Sequence, residues 1–159
     1  MPDDHVSRIQ DQWARERPDL DVSPQGVIGR LHRLANRLTD ELVAVYREHG
    51  LGEGEFDVLA SLRRQGEPFE LAPSELADHT MVTSGAMTKR LDRLERAGLV
   101  TRRPSQSDGR ARVVALTKSG RELIDAAFTD HIANEHRLLA GVPERDRVEL
   151  ERILREWLQ

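Results

Sequence analysis

Pro73-Ser-Glu-Leu-Ala-Asp-His-Thr80-Met-Val-Thr-Ser84-Gly-Ala-Met-Thr-Lys-Arg90-Leu-Asp-Arg-Leu-Glu-Arg-Ala-Gly98 is the stretch that decides the fold. It reads as two short helices, residues 73–79 and 84–97, separated by the four residues Thr80-Met-Val-Thr83. That spacing is a helix-turn-helix. Thr83 can cap the second helix and Gly98 closes it. Within it, Met87, Leu91 and Leu94 recur at i, i+4 and i+7, which predicts a buried seam. A step of about 100° per residue then leaves Gly85, Thr88, Lys89, Asp92, Arg93 and Arg96 on the opposite, exposed face.

Such a face can enter a major groove. Ser84 and Gly85 are small enough to let the positive helix N-terminus approach a phosphate or base edge, and Thr88, Lys89 and Arg93 can hydrogen-bond base edges. An ordinary solvated helix with salt-bridged charges shows the same pattern, so the surroundings must decide. Two strand-like runs follow, residues 99–103 and 112–116, joined by Pro104-Ser-Gln-Ser-Asp-Gly109-Arg-Ala, a hairpin loop. A hairpin after a helix-turn-helix is a wing. In it Asp108 orients the turn and leaves Arg110 to reach a minor groove, where narrow A·T-rich tracts concentrate negative potential. Arg102, Arg103 and Arg112 suit phosphates, although each also reads as a solvated surface charge.

The distribution of charge supports DNA over a plain solvated helix. The chain carries a net −4, yet residues 84–112 hold eight cations and three anions, a local +5 on a body of −9. A local patch, rather than the global balance, is what neutralises phosphates.

Outward from this unit the chain is helical. Val6, Ile9 and Trp13 place a first amphipathic helix up to about Glu16, before Pro18. Ser23 reads as an N-cap with Pro24 at the first helical position of a long helix, residues 24–49, whose apolar face is Val27, Leu31, Leu34, Leu38, Leu42 and Val45. A third helix, residues 53–64, carries Phe56, Leu59, Ala60 and Leu62. Thr117 caps a long helix to about Leu139, and a last helix spans residues 144–158. The expected fold is mainly α with a small β-hairpin. A winged helix-turn-helix lobe (51–117) joins a helical dimerisation region (1–50, with an extra N-terminal helix, and 118–159) in a single domain. With 159 residues, 38% hydrophobic and only 4% aromatic, a helical protein of this kind completes its core by dimerising.

The absence of cysteine removes disulfide scaffolds, Cys-zinc sites and thiol catalysis together. The six histidines show no metal spacing, since His131 and His136 are five apart rather than four. No phosphate-cradling loop or nucleophile elbow is visible, so no enzyme, cofactor or metal is expected. No stretch has the roughly 18 apolar residues of a membrane span, and the acidic N-terminus has no apolar leader. A cytoplasmic protein without membrane association is expected.

The runs Leu71-Ala-Pro-Ser-Glu-Leu-Ala77, Ser84 to Val100, Asp108-Gly-Arg110 and Leu116-Thr-Lys-Ser-Gly120 closely resemble the MarR family of bacterial transcription regulators. The resemblance implies a homodimer whose terminal helices interlock to hold two wings over a pseudo-palindromic DNA operator in the bacterial nucleoid, with repression as the expected outcome. The N-terminal segment, with Trp13, Ser23-Pro24 and Glu55-Phe-Asp-Val-Leu-Ala-Ser-Leu-Arg-Arg64, is similar to the urate-responsive PecS-like branch. In that branch a Trp on the extra helix, an Asp and an Arg seven apart, and an Arg on the recognition helix hold the effector. These positions fall on Trp13, Asp57, Arg64 and Arg90.

The chemistry suits a planar, weakly acidic purine. An indole face and two guanidinium forks meet a carbonyl-rich anion, while Asp57 repels its charge. Each residue also has a plainer reading: Trp13 as packing, Asp57 and Arg64 as an ion pair, Arg90 as a phosphate contact. A regulator of another small aromatic acid, and an effector-independent architectural DNA-binding protein, are the alternatives.

Overall fold

The computed structural model describes residues 4–80, 84–104 and 112–159. Its elements run α1 (His5–Glu16), α2 (Gln25–Glu48), α3 (Glu53–Arg63), β1 (Glu70–Leu71), α4 (Pro73–Thr80), α5 (Ser84–Arg96), β2 (Val100–Pro104), β3 (Arg112–Leu116), α6 (Lys118–Leu139) and α7 (Glu144–Trp157). Seven helices and one small antiparallel sheet are thus present among the described residues. The chain divides into two compact units, residues 1–42 and 43–159, with the boundary inside α2.

In the first unit Asp4 caps α1, its Oδ1 accepting from the Ser7 amide at 2.8 Å. The same carboxylate receives Arg30 of α2 through Nε and Nη2, at 2.8 and 3.0 Å. Paired guanidinium and amide donors hold the Asp4 carboxyl well below the usual range. Val6 is buried against Gly29, where a larger residue would crowd its methyl groups. The start of α2 differs from expectation. Asp21 accepts both the amide and the hydroxyl of Ser23, at 2.9 and 3.0 Å, and α2 begins at Gln25 instead of Pro24. An Asx turn has captured the hydroxyl that would have capped the helix.

The second unit holds the packed core. Leu59 and Leu62 of α3, Leu76 of α4, Met87 and Leu94 of α5, Val100, Val114 and Ile124 are all at most 2% exposed. Each such side chain contributes about 1.5–3 kcal/mol through removal from water. The seam foreseen on α5 is therefore the face that docks: Met87, Leu91 and Leu94 are 2%, 2% and 1% exposed.

The sheet has the order β1-β3-β2. Val100 faces Leu116 and Pro104 faces Arg112 along the hairpin, while Glu70 and Leu71 pair with Ala115 and Val114 on the other edge of β3. This third strand was not expected, because two residues cannot display an alternating pattern. Thr117 ties hairpin to helix. Its hydroxyl accepts from the Gly120 amide at 2.9 Å and donates to the Gly98 carbonyl at 2.7 Å. Gly120 is required by contact, since a Cβ there would collide with the Leu99 carbonyl.

No residue of α7 is buried; Val148, Ile153 and Trp157 are 63%, 43% and 54% exposed. Among the described residues no helix is long and apolar enough to cross a membrane, and no cluster of side chains suits a metal.

Candidate nucleic-acid interface

On α5, packing of the Met87-Leu91-Leu94 seam turns Gly85, Thr88, Lys89, Arg93 and Arg96 to solvent, with Asp92 half-buried. The helix backbone begins at Ser84. Thr83, Asp108 and Arg110 lie outside the described residues, so the cap and the wing tip receive no structural account.

Several of the cations assigned to DNA have partners within the fold. Arg93 grips Glu55 of α3 with both ends of its fork: Nε meets Oε1, and Nη2 donates to Oε2 at 2.7 Å. Arg102 donates to Asp92 at 2.6 Å and lies 3.4 Å from Glu95, which also accepts the Arg102 amide. Arg103 pairs with Glu70 on β1. These acids keep the hairpin against α5 and β1, and leave Lys89, Arg96 and Arg112 exposed and without an ion pair among the described residues. Periodicity showed which charges face outward; it carried no sign of the acids that meet them across 33 and 38 residues.

The opposite flank of α5 meets the first turn of α3. The guanidinium of Arg90 lies on the backbone of Gly54, where any Cβ would overlap it, and its Nη1 is buried with no hydrogen-bond partner among the described residues. An unsatisfied buried donor costs about 1–3 kcal/mol. One turn along α3, burial is the main influence raising the Asp57 carboxyl above its ordinary value. Glu53 adds to that rise, against the opposing pull of Arg90, Arg64 and His131. Asp57, Arg64 and Arg90 thus share one electrostatic neighbourhood. Arg64 does not form the ion pair with Asp57 that its spacing allowed; its Nη2 lies 3.4 Å from His79 Nδ1.

Asp57 and Arg64 line a cavity of 410 Å³ with Tyr46, Phe56, Ser61, His79, Phe128 and His131. Tyr46 stacks on Phe56 at 3.9 Å between centroids, and the His131 ring sits 5.2 Å from Phe56. Burial, with the nearby carboxylates of Asp57, Glu135 and Glu53, pushes the Tyr46 phenol up to about 12, so it stays neutral beside His131 Nδ1 at 3.2 Å. The chamber offers flat aromatic walls with one guanidinium, Arg64, and one carboxyl, Asp57, in its lining, and its volume is within the usual range of small-molecule sites of about 300–1,000 Å³. Trp13, the fourth residue assigned to the effector, is half exposed on α1 in the first unit. The aromatic and histidine walls were missed in the sequence, because they are gathered from α2, α3, α4 and α6.

Comparison with known proteins places this geometry in context. Residues 49–111 match the model of the MarR family. The chain is 40% identical to the HTH-type transcriptional regulator PecS of Dickeya dadantii (strain 3937), over 94% of this chain and 90% of that protein. Among solved structures, a mutant MarR from E. coli complexed with operator DNA superposes with a TM-score of 0.72 at 26% identity, covering 88% of this chain and all 100% of that one. CouR from Rhodococcus jostii RHA1, bound to p-coumaroyl-CoA, superposes at 0.70 with 26% identity, over 80% of this chain and 89% of that one.

Proposed function

The chain belongs to the MarR family of DNA-binding transcriptional regulators, and from that premise we propose that it is a homodimeric repressor released from a pseudo-palindromic operator by urate or a similar purine. Gly85, Thr88, Lys89 and Arg93 of α5, with Ser84 at its start, read the major groove. Arg102, Arg103 and Arg112 approach phosphates, and Asp108 and Arg110 serve the wing tip. The exposed apolar face of α7 meets a second copy of the chain, which spaces two recognition helices about one DNA turn apart.

The observation that carries the effector reading is Arg90. A recognition-helix guanidinium with a buried Nη1, unpartnered among the described residues, lines a cleft with Gly52, Gly54, Glu55, Lys89 and Arg93 and acts electrostatically on Asp57, which with Arg64 lines the neighbouring aromatic-walled cavity. A planar anion entering there supplies acceptors to Arg64 and, once its side chain swings over, to Arg90, and stacks on aromatic rings; Trp13 is the further contact proposed for it. Drawing Arg90 toward the anion moves the helix that holds Lys89 and Arg93. Release follows only if the ligand binds the DNA-incompetent arrangement more tightly.

Calorimetric titration with urate tests the site. Arg90→Gln and Arg64→Gln should each weaken urate binding by roughly tenfold or more, the worth of a hydrogen bond to a charged group, while leaving the fold intact. Urate binding unchanged in both variants would remove these residues from the site. Tight binding of salicylate with none of urate would favour the other aromatic-acid reading, for which the Tyr46-Phe56 wall is the supporting feature.

A further inference from the structure

Glu55 is a buried carboxylate, 6% exposed, whose position in the first turn of α3 lets it accept the Gly52 amide at 2.8 Å. It also takes the whole inner edge of the Arg93 guanidinium: Nε at Oε1, and Nη2 at Oε2. Arg93 nevertheless keeps 65% of its side chain exposed. Both facts follow from the geometry of the fork. Binding through Nε and Nη2 consumes one edge of a planar group with five N–H donors and leaves Nη1, with both its hydrogens, pointing away from α3.

We propose that Glu55 is a specificity-determining positioning residue: from α3 it locks the Arg93 guanidinium of the recognition helix in one orientation, so that its outer edge meets a chosen base edge. The assignment rests on the reading of Arg93 as a DNA contact. A long side chain free in solution must lose rotamer freedom when it docks in a groove. Arg93 has already lost it in the folded protein. The charge of the pair is nearly cancelled, so its value to the complex lies in direction, and direction discriminates between bases where charge cannot. Glu55 also anchors the first turn of α3, the turn on which Arg90 rests at Gly54. Two of the three arginines of the recognition helix, Arg90 and Arg93, are thereby set by adjacent residues of one turn.

The experiment compares binding to a duplex selected by this protein from a random pool with binding to a random duplex of equal length, across a salt series. Glu55→Gln keeps the shape and the acceptor for Gly52, but turns an amide toward Arg93. It should lower the ratio of selected to random affinity by about tenfold, the scale of one bidentate base contact, whatever the unmasked Arg93 charge adds to the binding of both duplexes. Arg93→Lys keeps the charge and loses the fork, and should show the same loss. The double variant should be no worse than either single one, as for two residues acting as a unit.

If Glu55 merely neutralises Arg93, Glu55→Gln instead tightens binding to both duplexes equally, through the added phosphate attraction, and leaves the ratio unchanged; that unchanged ratio overturns the proposal. Arg93→Ala separates the two layers of inference. Unchanged affinity for both duplexes shows that Arg93 does not touch DNA, and both readings fall. A loss with Arg93→Ala but an unaltered ratio with Glu55→Gln overturns only the role of Glu55. Should Glu55→Gln melt below the assay temperature, Arg93→Lys reads the same geometry from the other partner.

Discussion

Helices α5 and α7 are nearly equal in length, 13 and 14 residues, and both are strongly amphipathic, yet the chain treats them in opposite ways. The apolar side of α5 is closed: Met87, Leu91 and Leu94 are spent on the core, and what remains outside is cationic and polar. The apolar side of α7 is open, with Val148, Ile153 and Trp157 in solvent. A helix that is finished within its own chain can offer its polar face to a ligand that is not protein. A helix that is unfinished calls for more apolar surface, and the second copy proposed above would supply it symmetrically.

The sharpest way to break that contrast is a charge on α7. Ile153→Asp should turn a dimer into monomers by sedimentation and cost about 100-fold or more in affinity for the selected duplex, because two linked half-site contacts become independent. Retained dimers with full affinity would show that α7 is not the joining face. The matching change on α5 acts through folding alone. Leu94→Ala should lower unfolding stability by about 2–5 kcal/mol, in denaturant titrations whose shift does not depend on protein concentration. A shift that vanishes at high concentration would mean that α5 too is completed by a partner.

A subtler change concerns the flank of α5 rather than its outer face. Gly54→Ala fills the slot beneath Arg90 and leaves every charge in place. The guanidinium, at the end of a flexible chain, should swing away. Urate affinity should change severalfold while the melting temperature holds or rises slightly, since Ala is the better helix former by about 1 kcal/mol. An unaffected urate titration would detach Arg90 from the effector site.

The smallest effect belongs to Asp57. Its folded carboxyl sits above the ordinary value of 3.8, so the ionised form opposes folding at neutral pH and acidification relieves that strain as the raised value is crossed. Asp57→Asn should melt slightly higher than the parent at neutral pH, with the advantage fading as pH falls toward about 4. An advantage that grows with acidification would reverse the sign of the assignment.

Much of this arrangement was legible in the residues. The α5 seam, the Thr117 cap and the hairpin follow from periodicity, capping chemistry and turn residues, all of which act within a few positions. What escaped notice acts over long separations. Glu70 and Glu55 reach Arg103 and Arg93 from other elements, and no local pattern reports which of many outward charges will meet. The cavity walls escaped for the same reason: Tyr46, Phe56, Phe128 and His131 are unremarkable where they stand in the chain and become a chamber only when α2, α3 and α6 converge. At Ser23 a local signal misled, because Asp21 two residues earlier competes for the same hydroxyl.

The central claim is that one helix both reads DNA and reports a purine. It is tested most directly by titrating urate, with salicylate as the control, into the protein bound to its selected duplex and following release by gel shift. The account predicts release by urate at concentrations where salicylate leaves the complex intact, and loss of that response in Arg90→Gln while the duplex is still bound. A complex that no purine dissociates would contradict it.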